Sequence, residues 1–127
     1  MLSNLLTLRH ETWFMDKVRD IIIFKDYFLD FYNGQTEKVQ MKIDYTLKVI
    51  ATQQRIPVKF LRLIENAGGL YEIRVEMGSN IYRIFCCFDN GNLVVLFNGF
   101  QKKSQKTPKD EIARAKRIMH EYFNQIK

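Results

Sequence analysis

The side chains best able to do chemistry are the five cations that lie between residues 70 and 108. The alternation of apolar and polar residues in this segment predicts three antiparallel strands that end in a basic loop. Arg74 and Arg83 fall on neighbouring strands, and Lys102, Lys103 and Lys106 follow the third strand. Cations held on a rigid sheet, in a small basic protein, suit the binding of a phosphate backbone.

The loop between the first two of these strands decides whether the two arginines meet. A four-residue loop over 77–80 sets Arg74 directly opposite Arg83, whereas a three-residue loop places them on opposite faces. We favour the four-residue loop. Like charges that face each other destabilise a sheet. Either Glu72 and Glu76 neutralise the arginines in an ordinary salt-bridged surface, or an anion belongs there.

The same register divides the sheet into two faces. The predicted core face carries Tyr71, Ile73, Val75, Tyr82, Ile84, Cys86 and Phe88. Asn90-Gly91 predicts a two-residue hairpin turn, which pairs Arg83 with Asn98 further along the strands. In this register the apolar residues on the same face as Arg83 are Phe85, Cys87, Val94 and Leu96. They need cover from a helix of this protein or of a partner.

Size and charge limit the class of protein. The chain has 127 residues, which leaves room for one domain. Its net charge of +6 and pI of about 9.4 fit either a solvated surface or an anionic partner. That partner could be nucleic acid, an acidic protein or a membrane surface. No apolar run approaches the ~20 residues of a membrane span, and the N-terminus lacks the pattern of a signal peptide.

Cysteine and histidine usage argues against disulfide or metal chemistry. Cys86 and Cys87 are adjacent, so on a strand they point to opposite faces and are poorly placed to bond each other. Buried reduced thiols fit a cytoplasmic location. The histidines are His10 and His120, which give no metal-ligand spacing.

The rest of the chain predicts one strand and three helical elements. Ile21 to Phe24 is interpreted as a short buried first strand. Residues 26–32 and 35–54 predict an αα-hairpin that breaks at Gly34. The second of these helices carries an apolar stripe of Val39, Ile43, Leu47 and Ile50. Residues 58–66 approach the sheet after it.

The two ends of the chain differ in character. Residues 1–14 are interpreted as an extra N-terminal arm or a misassigned start, so that the single domain spans 15–127. Thr107 is predicted to cap a last helix with Pro108 at its first helical position. The apolar stripe of that helix comprises Ile112, Ala115, Met119, Tyr122 and Ile126.

Three segments carry a family resemblance: GLYEIR at 69–74, NIYRI at 80–84 and NGFQKKSQKTP at 98–108. Together with the order of the elements, they resemble the RelE/ParE toxin superfamily and are most similar to its HigB-like, phage-derived branch. The resemblance runs from Met15 to the C-terminus. It implies an α+β fold in which an N-terminal strand and an αα-hairpin pack on a small antiparallel meander, followed by a C-terminal helix.

The resemblance also implies an activity. Members are toxins of type II toxin–antitoxin systems, many of them ribosome-dependent mRNA endoribonucleases that use the RNA 2′-OH and need no metal or other cofactor. Carried over, Arg74 and Arg83 match cationic sheet positions, and Lys102 or Lys103 matches the cation after the last strand. Lys106, Lys59 and Arg62 are further candidates for RNA binding.

The group that transfers the proton stays open. Glu72, His120 and a lysine of lowered pKa at 102 or 103 are the candidate bases. Tyr122 lies on the apolar stripe of the last helix, so it is expected in the core.

The resemblance implies three partners: a cognate HigA-like helix-turn-helix antitoxin, mRNA on the ribosome, and operator DNA through the antitoxin alone. Two other functions fit the same sequence. One is a non-enzymatic, ParE-like inhibitor of a protein such as gyrase. The other is an RNA-binding module without chemistry, in which Tyr71, Tyr82, Phe85 and Phe100 would stack on bases. Core packing explains Tyr71 and Tyr82 better.

Overall fold

The computed structural model describes residues 17–102 and 108–125, and the predicted arm over 1–14 lies outside them. Its α+β architecture confirms the predicted fold class. A five-stranded sheet has the order β1-β5-β4-β3-β2, in which β1 runs parallel to β5 and the other pairs are antiparallel. The elements are β1 Asp20–Ile23, α1 Tyr27–Asn33, α2 Glu37–Thr52, β2 Leu61–Leu63, β3 Tyr71–Met77, β4 Asn80–Asp89, β5 Leu93–Lys102 and α3 Lys109–Asn124.

The αα-hairpin covers one face of the sheet, as predicted. Gly34 ends α1, and the Thr36 hydroxyl begins α2 by accepting the Val39 backbone N–H at 3.3 Å. The apolar stripe of α2 is buried against the predicted core face of β3 and β4. These contacts form the first core, whose fully buried members include Phe28, Ile43, Ile73 and Ile84.

The C-terminal helix α3 covers half of the other face. Its residues Ala115, Ile118, Met119 and Tyr122 pack on Phe24, Leu70, Phe85, Cys87, Val95 and Phe97 to form a second core. The Tyr122 hydroxyl donates to Asp89 at 2.7 Å, which ties the helix to the end of β4. Pro108 is extended, at φ −59° and ψ 140°, so it is the N-cap and the prediction that placed it at the first helical position is wrong by one residue.

The register of β3 with β4 is confirmed, but that of β4 with β5 is not. Arg74 pairs with Arg83 as predicted. The Asn90 turn is one residue longer than predicted, because Asp89 pairs with Leu93, and a β-bulge between Ile84 and Cys86 shifts the register again. Arg83 therefore pairs with Phe100 and not with Asn98.

The shifted register changes which apolar residues share the face of Arg83. Val94 and Leu96, predicted there, lie in the first core on the opposite face, and Val95 and Phe97 take their place. The cover that this face needs comes from α3 of the same chain. A further strand, β2, was not predicted within the segment 58–66 and forms one edge of the sheet.

The two cysteines lie as predicted. Both are free and buried, Cys86 in the first core and Cys87 in the second, because neighbouring strand residues face opposite sides. Burial raises the pKa of the Cys87 thiol to about 12, so it stays protonated. Among the described residues, no helix is both long and apolar enough to cross a membrane.

Candidate cationic site

The half of the second sheet face that α3 leaves uncovered carries a cluster of charges. We call this surface the cationic face, and it comprises Arg62 of β2, Glu72 and Arg74 of β3, Arg83 of β4 and Lys102 of β5. Side chains alternate along each strand, so neighbouring residues such as Leu61, Ile73 and Ile84 point into the first core. Four strands therefore each contribute a cation or its counter-ion to one rigid surface.

Glu72 lies at the centre of the cationic face between two arginines. Its Oε2 is 3.4 Å from Arg83 Nη1 and 3.6 Å from Arg62 Nη2. The side chains of Arg83 and Glu72 are 1% and 7% exposed, whereas that of Arg62 is 53% exposed. Removing two charges from water is costly, and their mutual attraction compensates this cost only while both partners are present.

Arg74 has a separate partner. Its Nη2 donates to Glu76 Oε2 at 2.6 Å, and the two side chains are 31% and 55% exposed. An ion pair this exposed adds little stability. The two arginines that face each other across β3 and β4 thus each have a glutamate nearby, which is the first of the two alternatives that the sequence left open.

Arg83 nevertheless has hydrogen-bonding capacity to spare. Within the described structure, its Nε and Nη1 have no hydrogen-bond acceptor, although Nη1 is near the Glu72 carboxylate. Burial lowers the pKa of the Arg83 guanidinium; Glu72 opposes this shift, while Arg74 and Arg62 add to it. A guanidinium remains charged under all ordinary conditions, so Arg83 is a buried and incompletely satisfied cation.

Lys102 reaches this face at the end of β5. It pairs with Ile81, the residue two positions before Arg83 on β4. Partial burial and the nearby charge of Arg83 lower the pKa of the Lys102 ammonium below its ordinary value. A lysine of lowered pKa can exchange a proton nearer to neutral pH than a free lysine can.

The remaining predicted site residues divide into two groups. Lys59 is exposed just before β2, where its Nζ lies 5.1 Å from the centroid of the Phe60 ring. His120 is exposed on α3, in a groove with Ala113, Lys116 and Arg117, and not on the cationic face. Lys103 and Lys106 lie outside the described residues.

The aromatic candidates for base stacking belong to the core. Phe85 is fully buried, and its ring stacks on that of the half-buried Phe100 at a centroid distance of 5.7 Å. Tyr122 is in the second core as predicted, where burial and the Asp89 hydrogen bond raise its pKa to about 12. These rings hold the sheet and α3 together and leave little surface for a base.

Asn98 is a polar residue of this region that the sequence reasoning did not select. It is 1% exposed, and within the described structure neither Nδ2 nor Oδ1 has a hydrogen-bond partner. Natural proteins rarely leave a buried amide unpaired. The sequence does contain one indication of Asn98, which is an amide inside an apolar strand just before Gly99. Glycine within a strand often marks a bulge.

A family model supplies the classification of this chain. The model "Phage derived protein Gp49-like (DUF891)" matches residues 30–120, which is well over half of the sequence. The chain belongs to the phage-derived Gp49-like family. This family is RelE-like and toxin-like, in agreement with the α+β fold and with the coarser part of the resemblance. No curated protein matches the chain significantly.

The Gp49-like match covers the whole cationic face. Its range runs from within α1 to within α3 and includes Arg62, Glu72, Arg74, Arg83 and Lys102. The part of the chain that the structure describes holds no group of three or more histidine, cysteine or acidic side chains arranged to bind a metal.

We expect Arg83→Met to lower the free energy of unfolding by about 3 kcal/mol or more, because it leaves the buried Glu72 carboxylate without its buried partner. The double variant Glu72→Leu/Arg83→Met should regain most of this loss. Chemical denaturation of the wild type, both single variants and the double variant measures the coupling.

Arg74→Met is the matched control for this cycle, since its exposed ion pair should contribute less than about 1 kcal/mol. Equal losses for Arg83→Met and Arg74→Met would contradict the assignment of Arg83 and Glu72 as a buried pair.

Proposed function

We propose that this Gp49-like protein is a HigB-like toxin of a type II toxin–antitoxin system that cleaves mRNA on the ribosome. The observation that carries the proposal is the cationic face itself. Arg62, Arg74, Arg83 and Lys102 lie on one rigid surface around a single buried carboxylate. Positive charge in excess of its local counter-ions favours a polyanion, and RNA offers phosphates at regular spacing.

The proposed reaction uses the RNA's own nucleophile. The 2′-oxygen attacks the adjacent phosphorus, the bond from phosphorus to the 5′-oxygen breaks, and the products are a 2′,3′-cyclic phosphate and a free 5′-hydroxyl. One proton leaves the 2′-OH and another must reach the departing 5′-oxygen. The transition state is a phosphorane that carries extra negative charge, so preorganised cations are the largest contribution expected from the protein.

The positions of the cations support different roles. Arg62 and Arg74 are exposed enough to meet phosphate oxygens, and a guanidinium can bind two such oxygens at once. Arg83 is buried on the same face and acts through its charge and through Glu72. We assign Lys102 as the acid that protonates the 5′-oxygen, because its lowered pKa eases proton release. We assign Glu72 as the base, because its carboxylate lies on the same face beside Arg83.

The antitoxin would dock elsewhere on the molecule. Met41 and Tyr45 of α2 are 55% and 51% exposed, and the Tyr45 ring contacts Phe60 at a centroid distance of 6.4 Å. Lys42 and Lys59 lie over these two rings. An apolar patch flanked by lysines fits a segment that carries both apolar and acidic side chains. We assign this patch to an acidic segment of a HigA-like antitoxin, which would also provide the contacts to operator DNA.

Induced expression in a bacterial host should arrest growth and create new mRNA 5′ ends inside translated frames. Arg74→Ala and Lys102→Ala should each reduce cleavage at least tenfold, because each removes a cation from the transition state. Lys38→Ala is the matched control, since it removes one exposed lysine from α2 on the other side of the sheet. Growth arrest without new mRNA ends would instead indicate an inhibitor of a protein target such as gyrase.

The pH dependence of cleavage should show the loss of the Lys102 proton. If Lys102 donates a proton, the single-turnover rate falls as pH rises through its lowered pKa, because the amine loses its proton there. Lys102→Arg should move this fall to higher pH, since arginine keeps its proton. The rates are measured on purified ribosome–mRNA complexes. Identical pH profiles for the wild type and Lys102→Arg would contradict the assignment of Lys102 as the acid.

Tyr45→Glu should weaken neutralisation by the cognate antitoxin, because it places an acid where an acidic segment is expected to bind. The measurement is the dissociation constant of the purified pair, with growth rescue on co-expression as the second readout. Phe123→Glu is the control, since Phe123 is 41% exposed on α3, away from the patch. Equal affinity for the wild type and Tyr45→Glu would exclude this docking site.

A further inference from the structure

Within the described residues, two buried polar side chains of one region have atoms without hydrogen-bond partners, and the β-bulge brings these side chains together. Phe97 and Asn98 lie between Leu96, which pairs with Cys86, and Gly99, which pairs with Ile84. Both therefore oppose Phe85 alone, which is the arrangement of a bulge. Gly99 faces the ring of Phe31 in the first core and Phe100 lies in the second. Adjacent residues of a strand point to opposite faces, so Asn98, which precedes Gly99, lies on the same face as Arg83.

Asn98 and Arg83 are then diagonal neighbours on the same face, since Arg83 pairs with the residue two positions after Asn98. Diagonal neighbours are within reach of each other for long side chains. The atoms without hydrogen-bond partners in the described structure are Arg83 Nε and Nη1 together with Asn98 Nδ2 and Oδ1. Leaving such groups unpaired is costly in a protein interior.

The balance of donors and acceptors limits what can complete this pair. Arg83 offers only N–H donors, and Asn98 offers one amide donor group and one acceptor. A bare phosphate oxygen would accept from the donors but would leave Asn98 Oδ1 unpaired. A hydroxyl group satisfies both requirements, because it accepts from an N–H and donates its own hydrogen to Oδ1.

We propose that Asn98 contacts the substrate by orienting the 2′-hydroxyl of the scissile nucleotide with its amide, above the Arg83 guanidinium. This inference rests on the proposed function and adds a residue to it. Asn98 Oδ1 accepts the hydroxyl hydrogen in the ground state and so directs the oxygen toward phosphorus. The proton then passes to the base, the bond from oxygen to phosphorus forms, and the 5′-oxygen leaves with a proton from the acid.

Lys102 lies two residues beyond Phe100 on the same face, and its nearby charge repels that of Arg83. Its ammonium is therefore available to a phosphate that flanks the oriented hydroxyl. Before RNA binds, a water molecule can make the same two hydrogen bonds as the hydroxyl.

The inference predicts opposite effects of one substitution on stability and on rate. Asn98→Leu keeps the size of the side chain and removes two buried polar atoms that lack partners, so stability should be unchanged or higher. Single-turnover cleavage of ribosome-bound mRNA should fall at least tenfold. Affinity for mRNA with a 2′-deoxy nucleotide at the scissile position should stay within twofold, because that RNA lacks the hydroxyl that Asn98 binds.

Asn98→Ala and Asn80→Ala complete the experiment. Asn98→Ala leaves room for water and should also cleave at least tenfold more slowly, so the result does not depend on how Leu packs. Asn80, whose Oδ1 accepts from Gln101 at 3.4 Å at the exposed end of β4, is the control and should cleave at the wild-type rate.

The wild-type arm tests the proposed function separately from this inference. Wild-type cleavage with unchanged rates in both Asn98 variants would overturn the role of Asn98 alone. Loss of stability in Asn98→Leu with a normal rate per folded molecule would overturn it too, since it would identify a structural amide. A wild-type protein that cleaves no mRNA would overturn the ribonuclease function and this inference together.

Discussion

The β-bulge in β5 is the constraint on which the cationic face depends. Regular alternation from Leu96 would have turned Phe100 and Lys102 toward the αα-hairpin, because both lie an even number of residues along the strand. The extra residue reverses this alternation and places Phe100 in the second core and Lys102 beside Arg83. A bulge is a common means of redirecting a side chain near a functional site.

Close packing against α1 fixes the position of the bulge. A Cβ atom at residue 99 would lie 2.6 Å from Cδ2 of the Phe31 ring, so only glycine lets the helix approach this closely. Gly99 thus fixes the residue at which the regular alternation of side chains resumes. The contact with α1 is made by the ring of Phe31. The αα-hairpin, which contributes no residue to the cationic face, therefore contributes to its geometry.

The sequence predicted the parts of the fold that depend on local patterns. The α2 stripe and the pairing of Arg74 with Arg83 follow from periodicity and loop length, and both are confirmed. The bulge could not be predicted from Asn90-Gly91, because a hairpin signal specifies the turn and not the ladder several residues away. Asn98 was missed for the same reason, since its face is defined only once the bulge is known. Strand β2 was not predicted, because a pattern of three residues is too short to identify a strand.

Burial determines how the charge of Arg83 acts. At 0.1 M ionic strength, salt largely screens the interaction between exposed charges that are more than about 10 Å apart. It screens the interactions of buried charges much less. Arg62 and Arg74 are partly exposed, so their effect on a phosphate weakens as salt rises. Arg83 is shielded from solvent and its charge keeps acting on Lys102. In the proposed function, the exposed arginines would govern RNA binding and its salt dependence, while burial and the charge of Arg83 keep the pKa of Lys102 lowered.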